Sequence, residues 1–443
     1  MKTIFNNKPV LAFFFLIIAG LEPVIAQSPT VIKLGDAIEM SLTNSKQLKL
    51  SQTNVELAGL SIKEIKDNQL PSLGVSASYL RLNSPNVTLK LGGTSNDSTG
   101  SKGTPSINQA MYGMVSASMP LFSGFRFKYG IESAKYLEQA SKIDVETNKD
   151  AVIINTIAAY TNLYKAQRAV DLVAENLKSE QDRVLKFTDR EQNGLLARND
   201  LMKAKLQESN IELALLDAEN DLKVTRVNMN LILGLPKNSM IEASSDSFES
   251  LMEEGDVASW ELKAIENRKD LAANLIRQKS ANIDIKVAKA DLYPSVALTA
   301  GYVALGVPGV ITVPNAMNAG IGVKYNIASL WKSSTKINQV RMHAYQLKTN
   351  EAILEDKIHL EVTTAYYNYV LTKRKIEVYA KAVEQSEENF RITKNKFDNS
   401  LVNTTELLDA DVAQVQSKIN FETSKADALM AYKKLEHAAG IVQ

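Results

Sequence analysis

The chain has 443 residues, with 51 Lys or Arg against 50 Asp or Glu, so its formal charge near neutral pH is +1. That balance argues against a polyanion such as nucleic acid as a partner. There is no cysteine, which excludes disulfides, thiolate metal sites and thiol catalysis and is compatible with an oxidising compartment.

Lys2 and Lys8 precede an apolar run, Leu11 to Ala19, and Val24-Ile25-Ala26 has the small-residue pattern of a cleavage site. Residues 1–26 therefore read as a secretory signal peptide. The run is too short for a membrane-spanning anchor, and no cysteine near the cut would carry a lipid. Loss of Lys2, Lys8 and Glu22 leaves the mature chain formally neutral. No later stretch is apolar enough for a transmembrane helix, so any membrane crossing has to be made by strands.

Residues 34–68, rich in Ala, Leu, Lys and Glu, predict a helix that Pro71 stops. Leu73, Val75, Ala77 and Tyr79 alternate with Gly74, Ser76 and Ser78, the pattern of a strand with one apolar face. After a Gly- and Ser-rich loop, Gly92 to Ser106, a second such strand carries Met111, Gly113, Val115, Ala117 and Met119. Pro120-Leu-Phe-Ser-Gly124 turns the chain into a long helix over 125–190, about 100 Å at 1.5 Å per residue. Its coiled-coil seam (Leu163, Ala166, Val170, Val173, Leu177, Val184) is interrupted near Glu180. Asn193-Gly194 makes a turn into a helix over 199–233, whose matching seam is broken by Glu208 and which Gly234-Leu-Pro236 ends.

An acidic, Ser-rich linker over 237–258 follows, and then the plan returns. A helix over 260–292, strands over 296–304 and 321–327, a long helix over 331–397 and a helix over 404–438 repeat the first order. Individual segments repeat as well. Ile65 to Tyr79 reappears as Ala288 to Tyr302, Ala159-Tyr160-Thr-Asn162 as Ala365-Tyr366-Tyr-Asn368, and Asn193-Gly194-Leu195 as Asn399-Ser400-Leu401. The chain is a duplicated half-molecule, with repeats over 27–236 and 259–443, rather than a solenoid. Two short helices stacked beside one long one in each repeat predict a rod. The strands have the length of tilted bilayer-crossing strands. Four strands leave two open edges, which lipid does not tolerate, so closure needs several copies of the chain.

This order of elements, the Pro-Ser before each half's first strand (Pro71, Pro294), the Pro120 to Gly124 turn and the tips Asn193 to Leu201 and Asn399 to Ala410 resemble the TolC family of bacterial outer-membrane efflux proteins. The resemblance covers essentially all of the mature sequence. It implies a mainly α fold with a small β part: a long α-helical coiled-coil barrel joined to a transmembrane β-barrel, four strands per chain, in an internally duplicated homotrimer. It also implies a passive duct in the outer-membrane lipid, with a periplasmic tunnel, belonging to a tripartite efflux or type I secretion system. The partners would be a periplasmic adaptor protein and an inner-membrane pump, and neither cofactor nor catalytic residue is expected.

The same resemblance assigns residues. Glu406 and Asp409 fall at the family's constricting carboxylate ring, with Asp200 contributing at the first tip; near helix starts, such charges also suit the dipole. Gly194, Leu195, Ser400 and Leu401 fall where the adaptor docks, and Gly194 is equally a left-handed helix stop. Phe397, Ser400 and Val402 replace a Tyr, a Gly and an Arg. Phe and Val cannot form the hydrogen bonds of a polar latch, so packing is what remains for them at the tip. Tyr160, Tyr366 and Tyr367 read as interhelix packing, and His343, His359 and His437 are too scattered for a metal site. A heavy-metal efflux duct of the same fold would ask for Met and His along a conduit, whereas the 12 Met fall mostly at apolar seam positions. The alternative from another class is a secreted structural coiled-coil protein with a soluble sheet.

Overall fold

A computed structural model describes residues 30–83, 107–248, 255–308 and 311–442. The expected signal peptide, the Gly92 to Ser106 loop and part of the 237–258 linker lie outside the described residues. The chain forms two compact units, and each draws on both sequence repeats: residues 1–45, 153–253 and 367–434 in one, residues 46–152, 254–366 and 435–443 in the other.

The element order runs β1 (Thr30–Ile32), α1 (Leu34–Asn44), α2 (Lys46–Asp67), β2 (Ser72–Arg81), β3 (Gln109–Ser123), α3 (Arg126–Gln192) and α4 (Arg198–Leu233). It continues with β4 (Ile241–Ala243), α5 (Val257–Asn267), α6 (Lys269–Lys289), β5 (Ser295–Val307), β6 (Ile311–Lys324), α7 (Ser329–Asp398) and α8 (Thr404–Ala438). The long helices α3 and α7 have 67 and 70 residues. Among the described residues no helix is long and apolar enough to cross a membrane.

Two helices expected to be continuous are broken. The 34–68 segment parts at Ser45 and the 260–292 segment at Arg268, both with extended backbone (ψ 117° and 114°). At Arg268 the break is held by a set of side-chain partners, one nearby and two distant. Its guanidinium donates to Asp270 (2.9 and 2.6 Å), Glu361 (2.8 Å) and the Ala438 carbonyl (3.4 Å). Beside Ser45, Asn44 donates through Nδ2 to the Leu233 carbonyl (2.8 Å) at the end of α4.

In the first unit, β1 and β4 pair in a short parallel sheet that takes up part of the predicted linker. Tyr160, fully buried, fixes it by donating to the carbonyls of Ile32 (3.0 Å) and Ser244 (3.1 Å). Leu163, Met229, Leu233, Ile241 and Leu429 complete the core around it. Of the neighbouring tyrosines on α7, Tyr367 is 62% exposed and Tyr369 is buried.

In the second unit, the sheet has the order β2-β3-β5-β6, antiparallel throughout. Its strands run longer than the alternation suggested because two prolines sit at irregularities rather than at strand ends. The register shifts between Pro120 and Phe122, and again beside Pro314, whose carbonyl accepts from Tyr302 Oη (2.7 Å). A proline lacks an N–H for the ladder, and a bulge removes the need for one. At the exit from β3, Gly124 and Phe125 are both left-handed (φ 62° and 64°). A Cβ on Gly124 would collide with the Ala290 carbonyl oxygen, so this turn is closed to other residues.

Candidate functional site

The register sorts the sheet's side chains. Leu73 faces Ala117, Val75 faces Val115 and Tyr79 faces Met111. Val115 in turn faces Tyr302, which faces Met317, while Leu298 faces Ile321. Opposed residues share a face, so one face is apolar across all four strands. The other carries Gly74, Ser76, Ser116, Thr299, Gly301 and Asn318. The edge strands β2 and β6 are exposed nearly throughout, with Val75 and Met317 each 81% exposed. Where the strands meet the helices, Phe125 contacts Phe122 (5.2 Å), Tyr129 and Tyr293 (6.4 Å each), and Lys286 lies 5.3 Å from the Tyr129 ring.

In the other unit, the α3–α4 and α7–α8 turns are one device built twice. Gly194 N–H donates to the Glu191 carbonyl (2.9 Å) and Leu195 N–H to that of Arg190 (2.8 Å). Ser400 N–H donates to Phe397 (2.9 Å) and Leu401 N–H to Lys396 (2.8 Å) in the same way. These are paired Schellman helix stops, which require a left-handed residue. Gly194 has φ 71° and Ser400 φ 59°. Space around Gly194 is open, so its demand is conformational, whereas Ser400 bears a strain of roughly 1–2 kcal/mol. Leu195 and Leu401 project beyond the turns, 75% and 74% exposed.

Behind the turns, Val184, Phe187, Leu201, Ala204, Phe397 and Leu407 form a small core, with Val402 packed against it. Phe187 and Phe397 stack at 5.3 Å, and the Arg190 guanidinium lies 5.8 Å from the Phe397 ring. Asn403 opens α8 with a reciprocal cap: its Oδ1 accepts from Glu406 N–H (3.0 Å) and its Nδ2 donates to Glu406 Oε1 (2.9 Å). Glu406 and Asp409 are exposed, while Leu407 and Ala410 are buried. Asp200 pairs with Lys203 (3.3 Å), which also reaches Thr405 Oγ1 (3.3 Å), so the two tips are linked beside Glu406.

A model of the outer membrane efflux protein family matches residues 37–235 and 262–441, nearly the whole described chain. The chain belongs to this family. Outer membrane efflux protein BepC of Brucella suis is 23% identical over 72% of this chain and 70% of its own length. Nodulation protein T of Rhizobium leguminosarum is 25% identical over 59% of this chain and 53% of its own, so that match spans about half of the relative. In fold the chain is similar to the outer membrane protein VceC of Vibrio cholerae, with a TM-score of 0.72 at 16% identity, covering 92% of this chain and 96% of that one.

As an outer membrane efflux protein, the chain is an outer-membrane channel, a transport duct and not an enzyme. The structure brings Phe397 and Val402 into one core, and links Asp200 through Lys203 to the start of α8, near Glu406. It leaves Leu195 and Leu401 at separate turns. Sequence reasoning missed a buried ionic group: Arg183 Nη1 donates to Glu180 (2.7 Å), and Nη2 lies 3.1 Å from Asp411. The interrupted seams at Glu180 and Glu208 were its signal.

Proposed function

We propose that three copies of this chain assemble into a passive duct, twelve strands closing a pore through the outer membrane and twelve helices forming a periplasmic tunnel. The two sequence repeats, 27–236 and 259–443, supply equivalent halves of each chain's share, joined through the 237–258 segment. The turns at Gly194-Leu195 and Ser400-Leu401 meet a periplasmic adaptor, and an inner-membrane pump supplies the energy for tripartite efflux or type I secretion. The observation that carries this reading is the sheet: a continuous apolar face and two edges, β2 and β6, unpaired among the described residues. Unpaired edges cannot stand in lipid, and a closed barrel removes them. The aromatic and lysine cluster at the strand–helix junction supports the same placement, since such residues mark membrane interfaces.

At the entrance, three-fold symmetry places Glu406 and Asp409 of each chain in a ring of carboxylates, with Asp200 nearby and partly neutralised by Lys203. A ring of this kind selects and holds cations. In planar bilayers the parent channel is expected to be blocked by trivalent cations from the tip side. Glu406→Gln with Asp409→Asn is expected to relieve the block without greatly raising resting conductance. Equal block of parent and double variant places the ring elsewhere; a many-fold rise in conductance makes these carboxylates part of the closure instead.

A further inference from the structure

The buried ionic group is out of balance. Glu180 is fully buried and Asp411 is 4% exposed, and one guanidinium, Arg183, serves both. The Arg183 guanidinium also lies 5.9 Å from the Phe390 ring on α7. Glu208, half-buried on α4, turns a further negative charge toward Glu180. The group therefore touches all four helices of the two hairpins, three to four turns before the turn at Gly194. Glu180 Oε1 and Asp411 Oδ2 have no hydrogen-bond partner among the described residues. Two carboxylates on one cation leave an excess buried charge, and a buried charge without a full set of partners is strongly unfavourable. The simplest relief is a proton, which cancels the excess and supplies the donor the two carboxylates lack.

We propose that Glu180, Arg183 and Asp411 form a proton-dependent clasp that holds the two helical hairpins together near their tips and loosens when Glu180 ionises. The clasp rests on the reading of these tips as the channel's entrance and adds the means of its regulation. Burial, with help from Asp411 and Glu208 and against Arg183, pushes the Glu180 carboxyl up from 4.5 to about 7. A carboxyl raised by folding stabilises the folded packing below its ordinary value, and that contribution is lost as pH rises through about 7. Arg183, Asp411 and Glu208 are the charged groups that face Glu180, and Phe390 contributes only its ring. Phe397 and Val402, packed in the small core behind the turns, carry no titrating group.

The absence of native cysteine allows clean spin labelling of Leu195→Cys with Leu401→Cys in the full chain in detergent. From about pH 5 to about pH 9, the label–label distance distribution is expected to shift and broaden, with its midpoint near 7. Glu180→Gln is expected to keep one narrow distribution throughout. Asp411→Asn, which removes a neighbouring anion, is expected to lower the midpoint by about one unit. A parent distribution that does not move, or a Glu180→Gln variant that moves as the parent does, overturns the clasp. Conductance of the same samples separates the two readings. Moving tips without any pH-dependent conductance sustain the clasp but overturn the tips as entrance; pH-gated conductance with immobile tips does the reverse.

Discussion

Val115→Arg is expected to abolish assembly in the outer membrane, while Ser116→Arg, the next residue along the same strand, is tolerated. Val115 sits between Val75 and Tyr302 on the face that is apolar across all four strands. Ser116 sits between Gly74 and Gly301 on the opposite face. Both lie near the middle of β3, where an arginine turned to lipid costs about 2–4 kcal/mol per chain. In a trimer that penalty is incurred three times. An arginine turned to a water-filled lumen meets no such penalty. Heat-modifiable oligomer in outer-membrane fractions reports the difference: absent for Val115→Arg, present for Ser116→Arg. Equal loss in both variants would mean that neither face meets lipid.

Gly194→Pro is expected to abolish export while leaving oligomer and insertion intact. Proline fixes φ near −65° and cannot occupy the left-handed position that Gly194 holds at 71°. It also has no N–H to donate to the Glu191 carbonyl, one of the two bonds that close the turn. The turn must therefore open and carry the exposed Leu195 away from its place. The neighbouring core of Phe187, Leu201 and Phe397 lies behind the turn and keeps the helices paired. Dye export measured at equal expression is expected to fall to background. Unimpaired export would remove this turn from the adaptor contact.

The elements whose signals are local were legible in the sequence. Period-two alternation gave Leu73 to Tyr79 its face, and the Gly194 and Gly234 stops placed the helix ends within a residue or two. The start of the last helix at 404 was likewise placed correctly, and the structure shows Asn403 capping it. What escaped was fixed by partners far away in the chain. Neither Ser45 nor Arg268 is a helix breaker by type; the break at Arg268 is held by Glu361 and Ala438, nearly 100 residues or more away. The last strand, expected over 321–327, runs instead from Ile311 to Lys324, with Pro314 accommodated beside a bulge. The buried clasp was half visible. Glu180 and Glu208 stood out as charges in apolar seams, but nothing local pointed to Asp411, which supplies the second carboxylate from another helix.

In the proposed assembly the open sheet is one third of a closed barrel. Native mass measurement of the detergent-solubilised, folded chain tests it most directly. A complex of three copies that survives dilution is expected, because closure pairs every edge strand with a neighbour's. A well-folded monomer, with β2 and β6 left unpaired in detergent, would contradict it.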